Sequence, residues 1–333
     1  MKFESKFTWL PVTTLPNGTD LKLPLHVIEG ARPGPTLGLS ALIHGDEPLP
    51  SLAILRRVLD LLDPKELTGK VMVLPVCNPL GIGENSRNTP HDGANMNSAF
   101  TVPEPNGYVT PVLTISEMMA STLAEGFLQH LDYHIDFHAG DASLSVNMIE
   151  FADNPVSLGM ARAFLTPILL KDEFGANQFW GASERLGSKL IVAECGGGGL
   201  LFGEWVERGV RGAFNVMRHL GMLPGKEERP PTQTVVTNTS GHHHNLTILR
   251  PREGGLLIPD PAISPRASFE GKPVSGVPVF GRLLNMYDLD YHQDFEAPFE
   301  RTLMLAASVA PAWYYPGDTA YILADYDGAE VLD

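Results

Sequence analysis

The stretch TLGLSALIHGDEPLPSLAILRRVLDLLDP, residues 36–64, decides the fold. Its first eight residues form an apolar run that is typical of a buried strand. Leucines at 52, 55, 59 and 62 then recur at helical spacing, and Pro64 closes the helix. A strand followed directly by a helix is the repeating unit of a parallel sheet that helices cover on both faces.

The same alternation continues outward to about residue 222. Further strands are predicted at KVMVLPV (70–76), DYHIDFHAG (132–140) and KLIVAE (189–194), and helices near 114–131 and through 202–223. Pro and charged residues then cluster in PGKEERPPTQT (224–234), as in a linker, and short β-like runs follow. We therefore predict an α/β fold with a mixed, mostly parallel sheet flanked by helices, and a small C-terminal all-β domain. The predicted domains are residues 1–225 and 226–333.

Composition narrows the function classes. The chain has 333 residues and a formal charge of −15, which argues against nucleic acid as a partner. No stretch approaches the roughly 20 apolar residues of a membrane helix, and the N-terminus carries no cleavable leader pattern. The two cysteines, Cys77 and Cys195, give no disulfide framework, which fits a cytoplasmic protein. The oligomeric state stays open, a homo-oligomer included.

One predicted strand carries four titratable groups on a single face. In DYHIDFHAG, Asp132, His134, Asp136 and His138 alternate with apolar side chains. An ordinary amphipathic edge strand would give the same pattern. We expect Asp132 and His134, deeper in the strand, to be satisfied polar core groups, and Asp136 to orient a neighbouring metal ligand.

A second polar pair, His44 and Glu47, follows the first strand. Its H-x-x-E spacing is weak evidence alone, because His26 and Glu29 have the same spacing in an extended stretch, where they face opposite ways. At the 44/47 pair, Gly45 is expected to permit a sharp turn, so that both side chains converge above the sheet.

Polar residues stand at the carboxyl ends of successive predicted strands, where binding sites of open α/β sheets form. Two imidazoles and one carboxylate are a recognised set of catalytic zinc ligands, and His44, Glu47 and His138 supply them. Glu194, before a run of glycines, is the candidate general base for a metal-activated water. The glycines have an equally good explanation as a flexible turn. The tract at residues 242–244, HHH, is not taken as a metal site, because adjacent strand residues cannot all face one ion.

Five motifs occur in a fixed order: HGDE (44–47), NPLGIGENSRN (78–88), DGANMN (92–97), IDFHAG (135–140) and VAECGGG (192–198). As a set they resemble the succinylglutamate desuccinylase/aspartoacylase family, relatives of the zinc carboxypeptidases. The resemblance implies a zinc-carboxypeptidase-like fold and one zinc ion per chain on His44, Glu47 and His138, with Glu194 as general base. It also implies that Arg87 polarises the scissile carbonyl and that Asn97 contacts the substrate.

One departure from the family pattern matters for the substrate. Where the family usually reads Asp-Leu-Asn-Arg, this sequence has Asn95, Met96, Asn97 and Ser98. The missing arginine commonly holds a substrate carboxylate. Either another base, Arg162 or Arg185, replaces it, or the substrate carries no carboxylate at that place.

The hypothesis is a zinc-dependent deacylase that cleaves an amide of a small N-acylated amine or amino acid. Two alternatives remain. A catalytically silent small-molecule binding protein on the same scaffold would explain Ser98 at a substrate position. A metallocarboxypeptidase would share the metal site, but the absent arginine counts against it.

Overall fold

The computed structural model describes residues 6–101, 113–197, 203–238 and 245–332. The stretch at residues 36–64 folds as a strand, a turn and a helix, as predicted. Numbered in chain order, the helices are α1 (Ser51–Leu61), α2 (Pro79–Gly83), α3 (Ile115–Gly126), α4 (Pro155–Ala163), α5 (Phe179–Arg185), α6 (Gly203–His219) and α7 (Pro265–Glu270), with 3-10 turns at Met96–Ser98 and Leu128–His130.

Strands make up most of the remaining described structure. The predicted strands at 36–43, 70–76, 132–140 and 189–194 are all present, with shifted ends. The strands are β1 (Lys6–Thr14), β2 (Asp20–Glu29), β3 (Arg32–Ala41), β4 (Thr68–Leu74), β5 (Tyr133–His138), β6 (Leu144–Phe151), β7 (Ile168–Asp172), β8 (Lys189–Gly197), β9 (Gln233–Asn238), β10 (Leu246–Leu249), β11 (Gly255–Pro259), β12 (Val274–Ser275), β13 (Val279–Leu284), β14 (Tyr291–Glu296), β15 (Arg301–Ser308), β16 (Ala312–Tyr314), β17 (Tyr321–Asp325) and β18 (Glu330–Leu332).

The main sheet is mixed. Its centre, in the order β4-β3-β5-β8, pairs in parallel, and antiparallel strands extend it on both sides. The central strands are buried because helices cover both faces, and apart from the polar face of β5 they are mostly apolar. The carboxyl ends of β3, β5 and β8 therefore meet at one edge, where the predicted site residues lie.

Helices complete two cores, one on each face of this sheet. Leu55 of α1, Met160 of α4 and Val216 of α6 belong to one cluster. Leu123 of α3 and Phe179 of α5 belong to the other. No helix in the described ranges is long and apolar enough to cross a bilayer.

Residues after α6 contribute to both sheets. β9, β10, β12, β15, β17 and β18 join the main sheet, through the pairs β6·β15 and β7·β9, whereas β11, β13, β14 and β16 form a separate antiparallel sheet. The mixed α/β fold with a separate β-rich part is thus confirmed, with the short helix α7 inside that part. Hydrogen-bonded pairing crosses the predicted boundary at residue 225, and the division into two domains stays a prediction.

Candidate functional site

His44, Glu47 and His138 meet at the carboxyl edge of the sheet. His44 and Glu47 follow β3, and His138 is the last residue of β5. One ligand atom from each lies within 4.8 Å of the others. The three side chains are buried, with exposed fractions of 1%, 4% and 3% in that order. The sequence prediction that these residues converge is therefore met by the geometry.

The backbone turn that leads into the site has its left-handed residue at Leu42 and not at Gly45, where the sharp turn was predicted. Leu42 takes the left-handed conformation, with φ 55°, and so bends the backbone after β3. Such a φ is unfavourable for a residue with a side chain, by about 1 kcal/mol. Gly45 is not among the residues with positive φ. It is needed for close approach instead, since a Cβ there would lie 2.1 Å from the carbonyl carbon of Gly81.

Polar side chains orient the two imidazoles. Asp136 Oδ2 lies 2.8 Å from His138 Nε2, which leaves Nδ1 of that ring facing Glu47 at 3.0 Å. Asp136 also accepts hydrogen bonds from Ser40 Oγ (2.6 Å) and Trp180 Nε1 (2.7 Å). A carboxylate that holds the far nitrogen of a metal-ligating histidine fixes its tautomer and its ring orientation.

His44 has the same kind of support from an amide. Its Nε2 lies 3.2 Å from Asn95 Oδ1, within the segment that departs from the family pattern. His44 Nδ1 is buried and makes no hydrogen bond of acceptable geometry to a described residue, although Glu47 Oε1 is 2.9 Å away. Two imidazole nitrogens and a carboxylate that converge in this way fit a zinc ion.

Electrostatic interactions within the cluster favour an ionised carboxylate at Glu47. Burial opposes ionisation of Glu47, but the two imidazoles hold its carboxyl pKa well below the usual value. Burial lowers the pKa of His44. For His138, burial is outweighed by Asp136 and Glu47, which raise its pKa well above the usual value. Glu47 is therefore ionised between two potential ligands.

Glu194 stands beside the ligands. It pairs with His138 across the parallel strands β5 and β8. Its Oε2 is buried and has no hydrogen-bond partner among the described residues. Burial raises the pKa of its carboxyl to about 7, with His138 opposing and Glu47 adding to the shift. A buried carboxyl of this kind is suited to take up and release a proton near neutral pH.

Arg87 lies on the loop after α2. Its Nη1 atom is 2.5 Å from Glu47 Oε1, and its side chain is 54% exposed. The guanidinium thus touches the ligand cluster from the solvent side.

A cavity of about 470 Å³ opens over this cluster. Glu47, Arg87 and Glu194 line it from one side. Trp313 and Tyr314, on β16 in the C-terminal part of the chain, line it from another. The site is therefore built from both predicted domains, which the sequence did not indicate.

The other predicted substrate residues lie apart from the cavity lining. Asn97 is buried, and its Oδ1 accepts a hydrogen bond from Phe179 N at 3.2 Å. Ser98 is exposed, and its carbonyl lies 3.4 Å from Asn177 Nδ2. Arg162 and Arg185 do not line the cavity either. Substrate contact by Asn97 and Ser98 stays a prediction, and the tract at 242–244 lies outside the described residues.

Two supporting groups were missed from sequence. Trp180 lies on α5, in a segment for which no element had been predicted. It is far along the chain from the other site residues, so no local sequence pattern links it to them. Glu150 lines the cavity from β6, a strand that was also not predicted. The alternation of Leu144, Val146 and Met148 with polar residues was the available signal for β6.

Comparisons with known proteins agree on one relationship. The family model described as succinylglutamate desuccinylase/aspartoacylase catalytic domain matches residues 33–220. The N-alpha-acetyl-L-2,4-diaminobutyric acid deacetylase of Halomonas elongata is 27% identical over 314 residues, which cover 91% of this chain and 85% of that protein.

Two solved structures show the same fold. The succinylglutamate desuccinylase/aspartoacylase of Rhodobacter sphaeroides has a TM-score of 0.76 and 23% identity, covering 97% of this chain and 96% of that one. The product-bound ectoine utilization protein EutE (DoeB) of Ruegeria pomeroyi has a TM-score of 0.77 and 21% identity, covering 96% and 95%. At these identities the likeness extends to the fold alone.

Proposed function

Because the chain belongs to the succinylglutamate desuccinylase/aspartoacylase family, we propose that it is a zinc-dependent hydrolase of a small N-acylated amine or amino acid. The bond cleaved is the amide between the acyl group and the amine. One zinc ion per chain is proposed, held by His44, Glu47 and His138. The relative from Halomonas elongata, named as a deacetylase of N-alpha-acetyl-L-2,4-diaminobutyric acid, supports this substrate class.

One observation carries the proposal. Three buried side chains converge within 4.8 Å, and a Glu194 carboxylate oxygen with no hydrogen-bond partner among the described residues lies at the same cavity. When bound there, zinc supplies Lewis-acid polarisation of the carbonyl and lowers the pKa of the attacking water to about 7.

Protein side chains carry out the proton transfers, stabilise the oxyanion and orient His138. Glu194 takes the proton of the attacking water and passes it to the leaving amine, and a carboxyl with a pKa of about 7 suits both transfers. Arg87 lines the same cavity, so its guanidinium can donate hydrogen bonds to the developing oxyanion. Asp136 keeps the ring of His138 oriented through the contact at Nε2.

Asn97 and Ser98 are kept in the proposal as candidate substrate contacts, although neither lines the cavity. We also propose a cytoplasmic location, which is supported by two cysteines, Cys77 and Cys195, that are buried and free.

The test combines turnover with metal content. The zinc-loaded protein should hydrolyse at least one member of a panel of N-acetyl and N-succinyl amino acids and mono-N-acetyl diamines. Replacement Glu194→Gln should lower kcat by roughly 10²- to 10⁴-fold while zinc stays near one per chain. Replacement His44→Ala should instead remove the zinc.

The chain offers a matched control for the metal ligands. His26 has the same spacing to Glu29 that His44 has to Glu47, but it lies within β2. His26→Ala should therefore keep zinc stoichiometric. If the zinc-loaded protein hydrolyses no substrate of the panel, the catalytically silent binding protein is favoured. If it releases the C-terminal residue from peptides, a carboxypeptidase is favoured. Full activity of Glu194→Gln would refute the assigned base.

A further inference from the structure

One carboxyl group in the cavity has no part in the proposed chemistry. Glu150 lies on β6, lines the cavity and is only 8% exposed. Among the described residues it has no hydrogen-bond or ion-pair partner. Buried acidic side chains in proteins are nearly always paired, because desolvation of an unpaired charge is costly. We therefore expect the carboxyl group of Glu150 to have a partner that is not part of the described chain.

Strand register sets Glu150 next to the general base. In the antiparallel pair of β6 and β8, Met148 lies opposite Glu194, and Glu150 lies opposite Val192. Glu150 is thus two residues from the Glu194 level and on the same face of the sheet. Two residues of a strand span about 7 Å. An extended chain covers that distance with about six bonds, since three bonds span roughly 3.5 Å.

The cavity wall along β6 is apolar up to Glu150. Leu144, Val146 and Met148 alternate along β6 and line the same cavity. Because Met148 lies opposite Glu194, Met148 flanks the step from Glu194 to Glu150, whereas Leu144 and Val146 lie on the other side of Glu194. A substrate that spans this step would place methylene groups against Met148 and a polar end at Glu150.

The groups facing Glu150 are mostly acidic, so an ammonium group placed beside it would favour the ionised form of its carboxyl. Burial raises its carboxyl pKa well above the usual value, Glu194 and Asp172 add to the shift, and only His138 opposes it. Among the described residues, two guanidinium groups line the cavity, and both are engaged elsewhere. Arg87 pairs with Glu47, and Arg250 donates to Gly317 O at 2.6 Å and to Thr319 Oγ1 at 2.8 Å.

We propose that Glu150 binds a substrate ammonium group, so that the enzyme acts on N-acylated diamines or diamino acids with about five or six bonds between the scissile carbonyl carbon and that ammonium. The proposal rests on the deacylase function and names the class of its amine half. It makes Glu150 a specificity-determining residue.

The test compares two substrates of equal shape. Nα-acetyl-L-2,4-diaminobutyrate ends in an ammonium, and N-acetyl-L-norvaline has a methyl group in its place. The zinc-loaded protein should prefer the first in kcat/KM by about 10- to 100-fold, the usual value of a buried charged hydrogen bond. Replacement Glu150→Gln keeps the shape and removes the charge, and it should abolish most of that preference, mainly through KM.

Two variants separate charge from structure. Glu150→Asp keeps the carboxylate and should restore part of the preference. Asp318→Asn removes an equal charge at the exposed rim of the same cavity and should change the preference less than Glu150→Gln does. Thermal unfolding of each variant checks that the fold is retained.

A binding measurement keeps the inference independent of turnover. Calorimetric titration with the product, L-2,4-diaminobutyrate, should give weaker binding to Glu150→Gln than to the unmodified protein. If no N-acyl substrate is cleaved but this difference remains, the deacylase proposal fails and the ammonium site stands. An equal preference in the unmodified protein and Glu150→Gln, or equal product affinity, overturns the ammonium site.

Discussion

His134 lies in the core four residues before the candidate ligand His138. Its Nε2 is 2.7 Å from Ser40 Oγ and its Nδ1 is 3.1 Å from Ser183 Oγ. This agrees with its assignment from sequence as a satisfied polar core group, whereas the same assignment is wrong for Asp132, which is exposed. Burial lowers the pKa of His134 from 6.5 to about 4, with Asp136 opposing and His138 adding to the shift. The folded protein thus holds this ring neutral.

The stability of the protein should therefore depend on His134 at acid pH. The unfolded chain takes up the proton first, so this contribution is complete above pH 6.5 and is lost as the pH falls toward 4. The shift from 6.5 to about 4 corresponds to roughly 3 kcal/mol. Urea unfolding between pH 7.5 and 4 should show a shallower loss of stability for His134→Gln than for the unmodified protein. An equally steep loss of stability in His134→Gln and in the unmodified protein would contradict the assignment.

Asp136 should act on metal affinity through His138. Asp136→Asn removes the charge that holds His138 Nε2, so zinc should bind about 10- to 100-fold more weakly. The dissociation constant can be measured by competition with a chelator. Asp132→Asn is the matched control, since Asp132, just before β5, is exposed and accepts a hydrogen bond from Thr36 N. Equal affinity in Asp136→Asn and Asp132→Asn would remove Asp136 from its positioning role.

At the scale of elements, the turn after β3 depends on how closely it approaches α2. A methyl group at Gly45 would lie 2.1 Å from Gly81 C and 2.5 Å from Ile82 N, both backbone atoms that cannot move alone. Gly45→Ala should therefore displace the turn that carries His44 and Glu47. We expect a loss of stability of about 1–3 kcal/mol or more, together with weaker zinc binding.

Gly83, at the end of α2, is the control for this change. A Cβ at Gly83 would meet nothing within 4 Å, so Gly83→Ala should leave both stability and zinc affinity nearly unchanged. Circular dichroism melts and chelator competition measure the two quantities. If Gly45→Ala binds zinc as tightly as Gly83→Ala, the close approach does not hold the ligands in place.

Sequence periodicity predicted some of the helices and strands but not others. α1 and β3 were predictable because apolar residues recur with clear helical and strand periods. Residues 141–188 were not assigned, although β6, α4, β7 and α5 lie there. α5 is only seven residues long, and β7 only five, too short for a periodic signal to stand out. The turn geometry at Leu42 and Gly45 was misjudged because contact between distant backbones leaves no local pattern.

The ligand set was predictable for a different reason. His44 and Glu47 follow β3, His138 ends β5 and Glu194 lies near the end of β8, and the carboxyl ends of parallel strands converge by topology. Asn95 and Trp180 reach the site from loops and helices whose position depends on tertiary packing. Periodicity in the sequence does not predict positions that depend on tertiary packing.

At the scale of the whole molecule, the core is continuous across residue 225. Val146 and Met148 of β6 pack in one cluster with Val236 of β9 and with Leu303 and Leu305 of β15. Backbone hydrogen bonds also join β6 to β15 across the predicted boundary. The cavity draws lining residues from both sides of this junction, so the site requires the junction to be intact.

The two parts of the chain should consequently unfold together. Leu305 is fully buried at the junction, and Leu305→Ala should destabilise the protein by about 2–5 kcal/mol. Calorimetry should show one transition, moved to lower temperature as a whole, because shared strands and a shared core couple the parts. Leu61→Ala, at a half-exposed position on α1, should change it little. Two transitions of which Leu305→Ala moves only one would instead mean that residues 1–225 and 226–333 are independent domains, with the active site assembled between separately folding units.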